Sequence, residues 1–170
     1  MVVLKRPQKE LWTIMRDHLP ELAESIADIE GIQQIERSAD ANGLVHIVNE
    51  WRFRQQIPAA IRSLLNIGEL SWIDRNSWDA DTGTCSWAIE TSFLREYIDC
   101  SGTTTFTAAM AGRGTRVTFA GNLDLKPGLL GSLAGIEPLI TGFLEAIVTT
   151  VIPRNLRAIA EAAAAFELPR

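Results

Sequence analysis

The chain has 170 residues, 46% of them hydrophobic and 22% charged, with a formal charge of −5 at pH 7. That length suits one domain burying roughly 70% of the surface its unfolded chain exposes, and the acidic balance, with Lys and Arg scattered, argues against nucleic acid as a partner. The two cysteines, Cys85 and Cys100, have no CxxC or Cys/His spacing around them, so no disulfide framework, metal site or cofactor is expected, and a reduced cytoplasmic protein is.

The N-terminal MVVLKRPQKE lacks the apolar core and cleavage site of a secretory signal. Val2 to Lys5 predicts a short strand, and Pro7 suits the first turn of a helix with Leu11, Ile14, Met15 and Leu19 on one face. Pro20 divides that pattern, and Leu22, Ile26 and Ile29 predict a second short helix running to Gly31. From Ile32 the period becomes two, and Asn42-Gly43 marks a hairpin whose return strand puts Val45, Ile47, Asn49, Trp51 and Phe53 on one face. Residues 54–69, with Pro58, Ile61, Leu64 and Leu65, predict a short helix or an apolar flap.

Strand patterns return from Glu69 to Asn76 and, after a turn through Asp79 to Gly83, from Thr84 to Leu94, with Cys85, Trp87, Ile89, Thr91 and Phe93 sharing a face. A further pair, about Tyr97 to Met110 and Arg113 to Leu125, turns through Ala111-Gly112-Arg113-Gly114 and directs Val117, Phe119, Gly121 and Leu123 inward. Lys126-Pro127-Gly128 ends the strand region. The rest is dominated by one helical stripe, Ile136, Ile140, Phe143, Leu144, Ile147, Val148, Val151 and Ile152, with Pro138 near its first turn and Pro153 expected to bend or divide it. Residues 127–153 are the one membrane candidate, but Glu137, Pro138 and Glu145 interrupt them, so no transmembrane span is expected. A helix this apolar needs a broad concave surface to receive it, which a curved antiparallel sheet supplies.

That order resembles the helix-grip fold of the START and birch-pollen-allergen-like superfamily, also called SRPBCC, with its polyketide cyclase/dehydrase-like members. The residues carrying the resemblance are Leu11-Trp12 through Asp17-His18-Leu19-Pro20, Asn49-Glu50-Trp51, Gly114-Thr115-Arg116-Val117-Thr118-Phe119 and Pro153-Arg154-Asn155-Leu156. It implies an α+β domain spanning 1–170, with a curved antiparallel sheet of about six or seven strands wrapped around the C-terminal helix and two short helices after the first strand. It also implies a cavity between sheet and helix for a hydrophobic small molecule such as a lipid, sterol or polyketide. The part of the helix before Pro153 is expected to meet the ligand.

The pocket candidates are Asn49, Trp51, Trp72, Trp87, Ile89, Thr91, Phe119, Ile140, Phe143, Ile147 and Val151. Trp12 and Trp78 are expected nearer the surface. His18 beside Asp17, and His46 with Glu50, do not have catalytic geometry and read as surface or structural histidines. Glu90 and Glu96 have no matched partner, Gly112-Arg113-Gly114 is a turn rather than a phosphate loop, and Thr103 to Thr105 lack nucleophile companions. No catalytic residue is singled out. Three functions remain: a binding or transport domain; a cyclase or dehydratase using polar groups such as Asn49, Thr91 or Arg116 in the same pocket; and a protein-interaction module. A monomer or a homodimer is compatible with each.

Overall fold

The computed structural model describes residues 1–54, 59–65, 68–92, 95–96, 98–126 and 137–168. Expectations placed on Pro58, Phe93, Pro127, Gly128 and Ile136, and part of the flap expected at 54–69, lie outside them. Strand β1 (Val2–Leu4) leads to helices α1 (Gln8–Asp17) and α2 (Leu19–Ala23). Strands β2 (Ile29–Ala39) and β3 (Val45–Phe53), the short helix α3 (Ala59–Leu65), and strands β4 (Leu70–Asp79), β5 (Thr84–Thr91), β6 (Ile98–Ala109) and β7 (Gly114–Leu125) follow. Helices α4 (Glu137–Ala146) and α5 (Ile152–Ala165) end the order. All seven strands form one antiparallel sheet in the order β1-β7-β6-β5-β4-β3-β2, a meander from β2 to β7 that the N-terminal strand extends.

The second helix is shorter than its apolar stripe suggests. It stops at Ala23, Ile26 is buried in the turn that follows, and Ile29 opens β2. Period two fixes the inner face of β3 and β4: Ile47, Asn49, Trp51 and Phe53 are buried on one strand, and Leu70, Trp72, Asp74, Asn76 and Trp78 on its neighbour. Because the two strands pair Trp51 with Trp72 and Phe53 with Leu70, the large side chains stack in cross-strand rows. The Phe53 and Trp72 ring centroids are 3.9 Å apart. Trp12 and Trp78 do not lie near the surface. They meet edge-on with centroids 5.6 Å apart, both buried, because α1 lies across the inner face of the sheet.

Helix α1 is tied to the β2 edge by Asp17, which accepts hydrogen bonds from Arg16 and Arg37 at 2.7 and 2.8 Å. Partial burial would raise this carboxyl, but the two guanidinium groups outweigh it and hold it below the usual carboxylate range. At the other end of the chain, the Arg6 guanidinium donates to the carbonyls of Ala164 and Phe166, giving partners to the last turn of α5.

The segment Pro138–Ala165 is long and apolar enough to cross a membrane, but here it is the gripped core helix, with Ile140, Leu144, Ile147, Val151, Ile152 and Ile159 buried. Its two halves are joined by a π-turn at Ile147–Val151, where the Ile152 N–H reaches back five residues to the Ile147 carbonyl. Pro153 explains that widening, since its ring has no N–H to give and crowds the carbonyl four residues earlier.

Candidate functional site

The strand β5 residue Trp87 pairs with Gly102 of β6, and Gly102 with Gly121 of β7. The indole ring lies across both glycines: a Cβ at 121 would stand 2.5 Å from Trp87 Cη2, and one at 102 would collide with the same ring and with the Ala120 carbonyl. Two strands without side chains thus make a flat seat. The ring is fixed there by its Nε1, which donates to the buried Thr104 hydroxyl at 3.2 Å.

Trp87, Phe119, Ile152 and Leu156 stand between two adjoining spaces and line both. The outer one is a cleft of about 370 Å³ bounded by Met1 and Val2, by Phe119 to Asn122 on β7, and by Ile152, Pro153, Leu156 and Arg157 at the start of α5. The inner one is a chamber of about 60 Å³ under the helix, walled by Trp51, Trp72, Trp78, Trp87, Ile89 and Phe119 from the sheet, Met15 and Leu19 from the N-terminal helices, and Ile152, Asn155, Leu156 and Ile159 from α5. A smaller recess of about 20 Å³ lies beside it, lined by Thr91, Ile147 and Ile152 among others. Ile152 borders all three spaces.

The chamber is mostly apolar; its polar lining residues are Asp74, Asn76, Thr104 and Asn155. Asp74 and Asn76 open onto it from β4, and Asp74 pairs across the ladder with Asn49. Asp74 Oδ2 accepts from Asn76 Nδ2 at 2.7 Å and from Trp51 Nε1 at 3.2 Å, and Asn49 contributes a further hydrogen bond. The Cys85 thiol points at Asn76 Oδ1, 3.4 Å away. Burial pushes the Asp74 carboxyl up from 3.8 to about 6, against the hydrogen bonds of Asn76, Trp51 and Asn49, which favour its charged form. The same burial, with the nearby Asp74 charge, raises both cysteine thiols. Opposite Asp74, on α5, Asn155 is 1% exposed. Its Nδ2 donates to the Val151 carbonyl at 2.9 Å, while its Oδ1 has no hydrogen-bond partner among the described residues.

The structure brings Trp51, Trp72, Trp87, Ile89 and Phe119 to the chamber wall and puts Thr91 and Ile147 at the recess. Asn49 is buried behind the wall, next to Asp74. Ile140 and Val151 are buried, and Phe143 packs partly buried against the core, none of them at the chamber. The helix meets the chamber on both sides of Pro153, through Ile152 before it and through Asn155, Leu156 and Ile159 after it, and the earlier Leu144 and Ile147 line the neighbouring recess. Arg116 is exposed on the face away from the chamber, in register with Val3 and Thr107. Glu90 is not unmatched, since it pairs with Arg75 and Arg95 on the outer face. His46 meets Ser77 and Asp40 rather than Glu50, and His18 meets Glu21.

Asp74, Asn76, Trp78, Cys85 and Asn155 are among the chamber residues absent from the pocket candidates, as are Met15, Leu19, Thr104, Ile152, Leu156 and Ile159. The signal for the first three was their parity. They alternate with Trp72 on one strand, so they had to share its face.

No protein-family model and no curated protein matches the sequence. Solved structures do. The Zhui aromatase/cyclase from Streptomyces sp. R1128 superposes with a TM-score of 0.68 at 14% identity, over 95% of this chain and 89% of that one. Ara h 8.0201 superposes at 0.55 with 14% identity, over 97% and 95% of the two chains. The di-domain ARO/CYC StfQ from the steffimycin biosynthetic pathway gives 0.52 at 13% identity, over 96% of this chain and 42% of that chain. The protein thus has a helix-grip architecture, a curved antiparallel sheet closed over a C-terminal helix. That is the fold which the sequence's resemblance to the START and birch-pollen-allergen-like, or SRPBCC, superfamily implied.

Proposed function

We propose that the protein binds a hydrophobic small molecule whose body occupies the outer cleft and whose inner end enters the chamber under α5. The observation carrying this reading is that the two spaces adjoin, sharing Trp87, Phe119, Ile152 and Leu156 as walls, with a buried carboxyl on the inner one. A cleft of about 370 Å³ is within the range of about 300–1,000 Å³ common for small-molecule sites. Residues 1–170 act in this reading as one START-like domain, cytoplasmic, and monomeric or homodimeric. The test is a fluorescent apolar probe titrated into the wild type and into Ile152→Trp, which fills the junction of the three spaces. Saturable binding lost in the variant is expected; equal binding by both places the ligand elsewhere.

A second reading is catalysis of the cyclase or dehydratase type in the same cavity. What favours it is Asp74, a carboxyl raised to about 6 inside an apolar chamber and so able to give and take a proton near neutrality. Two of the solved structures with this fold are described as aromatase/cyclases. Turnover of a polyketide-like substrate by the wild type and its loss in Asp74→Asn, with binding retained, is the expected result. Turnover unchanged in that variant removes Asp74 from the chemistry.

A further inference from the structure

Among the described residues no Lys, Arg or His acts on Asp74; its hydrogen-bond partners are the neutral side chains Asn76, Trp51 and Asn49. Asn155, whose Oδ1 has no donor to accept from among the described residues, lines the same chamber. A purely apolar occupant would leave the buried Asp74 charge without a counter-ion and Asn155 Oδ1 without a donor, which is the expensive arrangement. Around them stand four indole rings, Trp51, Trp72, Trp78 and Trp87. Two of these have their N–H committed, to Asp74 and to Thr104, so what they offer an occupant is ring surface. A carboxylate with neutral donors but no counter-ion, and an amide oxygen without a donor, inside a wall of electron-rich rings match an organic cation.

We propose that the inner chamber takes the ammonium group of an apolar amine, with Asp74 as its counter-ion and Asn155 Oδ1 as a second acceptor. This rests on the cavity reading above and specifies its ligand. A hydroxyl has one hydrogen to donate and brings lone pairs towards the carboxylate, whereas an ammonium donates to both acceptors and neutralises the charge. About 60 Å³ holds an ammonium and an adjoining methylene but no ring system, so the apolar body lies in the outer cleft.

The test is isothermal titration calorimetry at pH 7.5 with 2-phenylethylamine and its neutral isostere 2-phenylethanol. The amine is expected to bind the wild type tighter, on the order of tenfold or more. That advantage disappears in Asp74→Asn and shrinks in Asn155→Leu, while the alcohol binds all three proteins alike; circular dichroism melting curves establish that both variants are folded. Equal affinity of amine and alcohol for the wild type overturns the amine inference and leaves the cavity reading standing. Binding of neither overturns both. An amine preference that survives in Asp74→Asn overturns the assignment of the counter-ion.

Discussion

Replacing Asp74 by Asn should stabilise the protein at neutral pH and leave it unchanged in acid. The native carboxyl titrates at about 6 and the unfolded one at 3.8. The native state therefore binds the proton more tightly, is not penalised below about 3.8, and carries the full cost of a buried charge above about 6. The difference of about two pKa steps, at 1.36 kcal/mol each, amounts to about 3 kcal/mol, a large share of the roughly 5–15 kcal/mol that holds a domain folded. Asn keeps the shape and an oxygen to accept from Asn76 and Trp51, and has no charge to desolvate.

Urea unfolding of both proteins at intervals from pH 3.5 to 8 measures this. The stability of the variant minus that of the wild type should rise from near zero to about 3 kcal/mol between pH 4 and 6.5. Taking the difference matters, because Asp17, held low by Arg16 and Arg37, acts on both proteins with the opposite sign. A difference that stays flat across the range, or a variant less stable at pH 7.5, would refute the account of Asp74 as a buried carboxyl without a cation.

Ile140→Asp places a charge at a fully buried position of α4 and should cost several kcal/mol, while Leu139→Asp, at a residue 44% exposed, should melt near the wild type. Gly121→Ala drives a methyl into the Trp87 ring; tryptophan fluorescence should shift and apolar-probe affinity fall, and a spectrum identical to the wild type would show the ring is not seated there. Cys85 and Cys100 are buried, with raised thiols. Neither should react with a thiol reagent at pH 8 on the timescale of unfolded controls, and both should react in denaturant.

The strands were legible because alternation survives inspection residue by residue. Ile47, Asn49, Trp51 and Phe53 could be assigned to the inner face from sequence, and the structure buries all four. The same rule applied to Leu70, Trp72, Asp74, Asn76 and Trp78 would have found the polar cluster, but a charge and an amide between tryptophans disguise the alternation. Trp12 precedes Met15 and Leu19 by three and seven residues and so flanks the apolar stripe, but its packing against Trp78, which approaches edge-on from another element, is a tertiary fact that helical spacing does not contain. The C-terminal helix was legible as far as Ile152, since Val151 and Ile152 are buried as the stripe requires. Beyond it, Pro153 announced a break without saying that the break would be a π-turn, or that Asn155 rather than Val151 lines the chamber.

The seat beneath Trp87 makes the interior of the protein depend on two positions that contribute no side chain to it. Any side chain at 102 or 121 has to displace the indole that lines both the cleft and the chamber. In a homologous sequence the pair can therefore be inspected before anything is known of its ligand: glycine at both positions marks a chain able to seat the indole flat on the sheet, and a side chain at either marks one whose cavity wall is built differently.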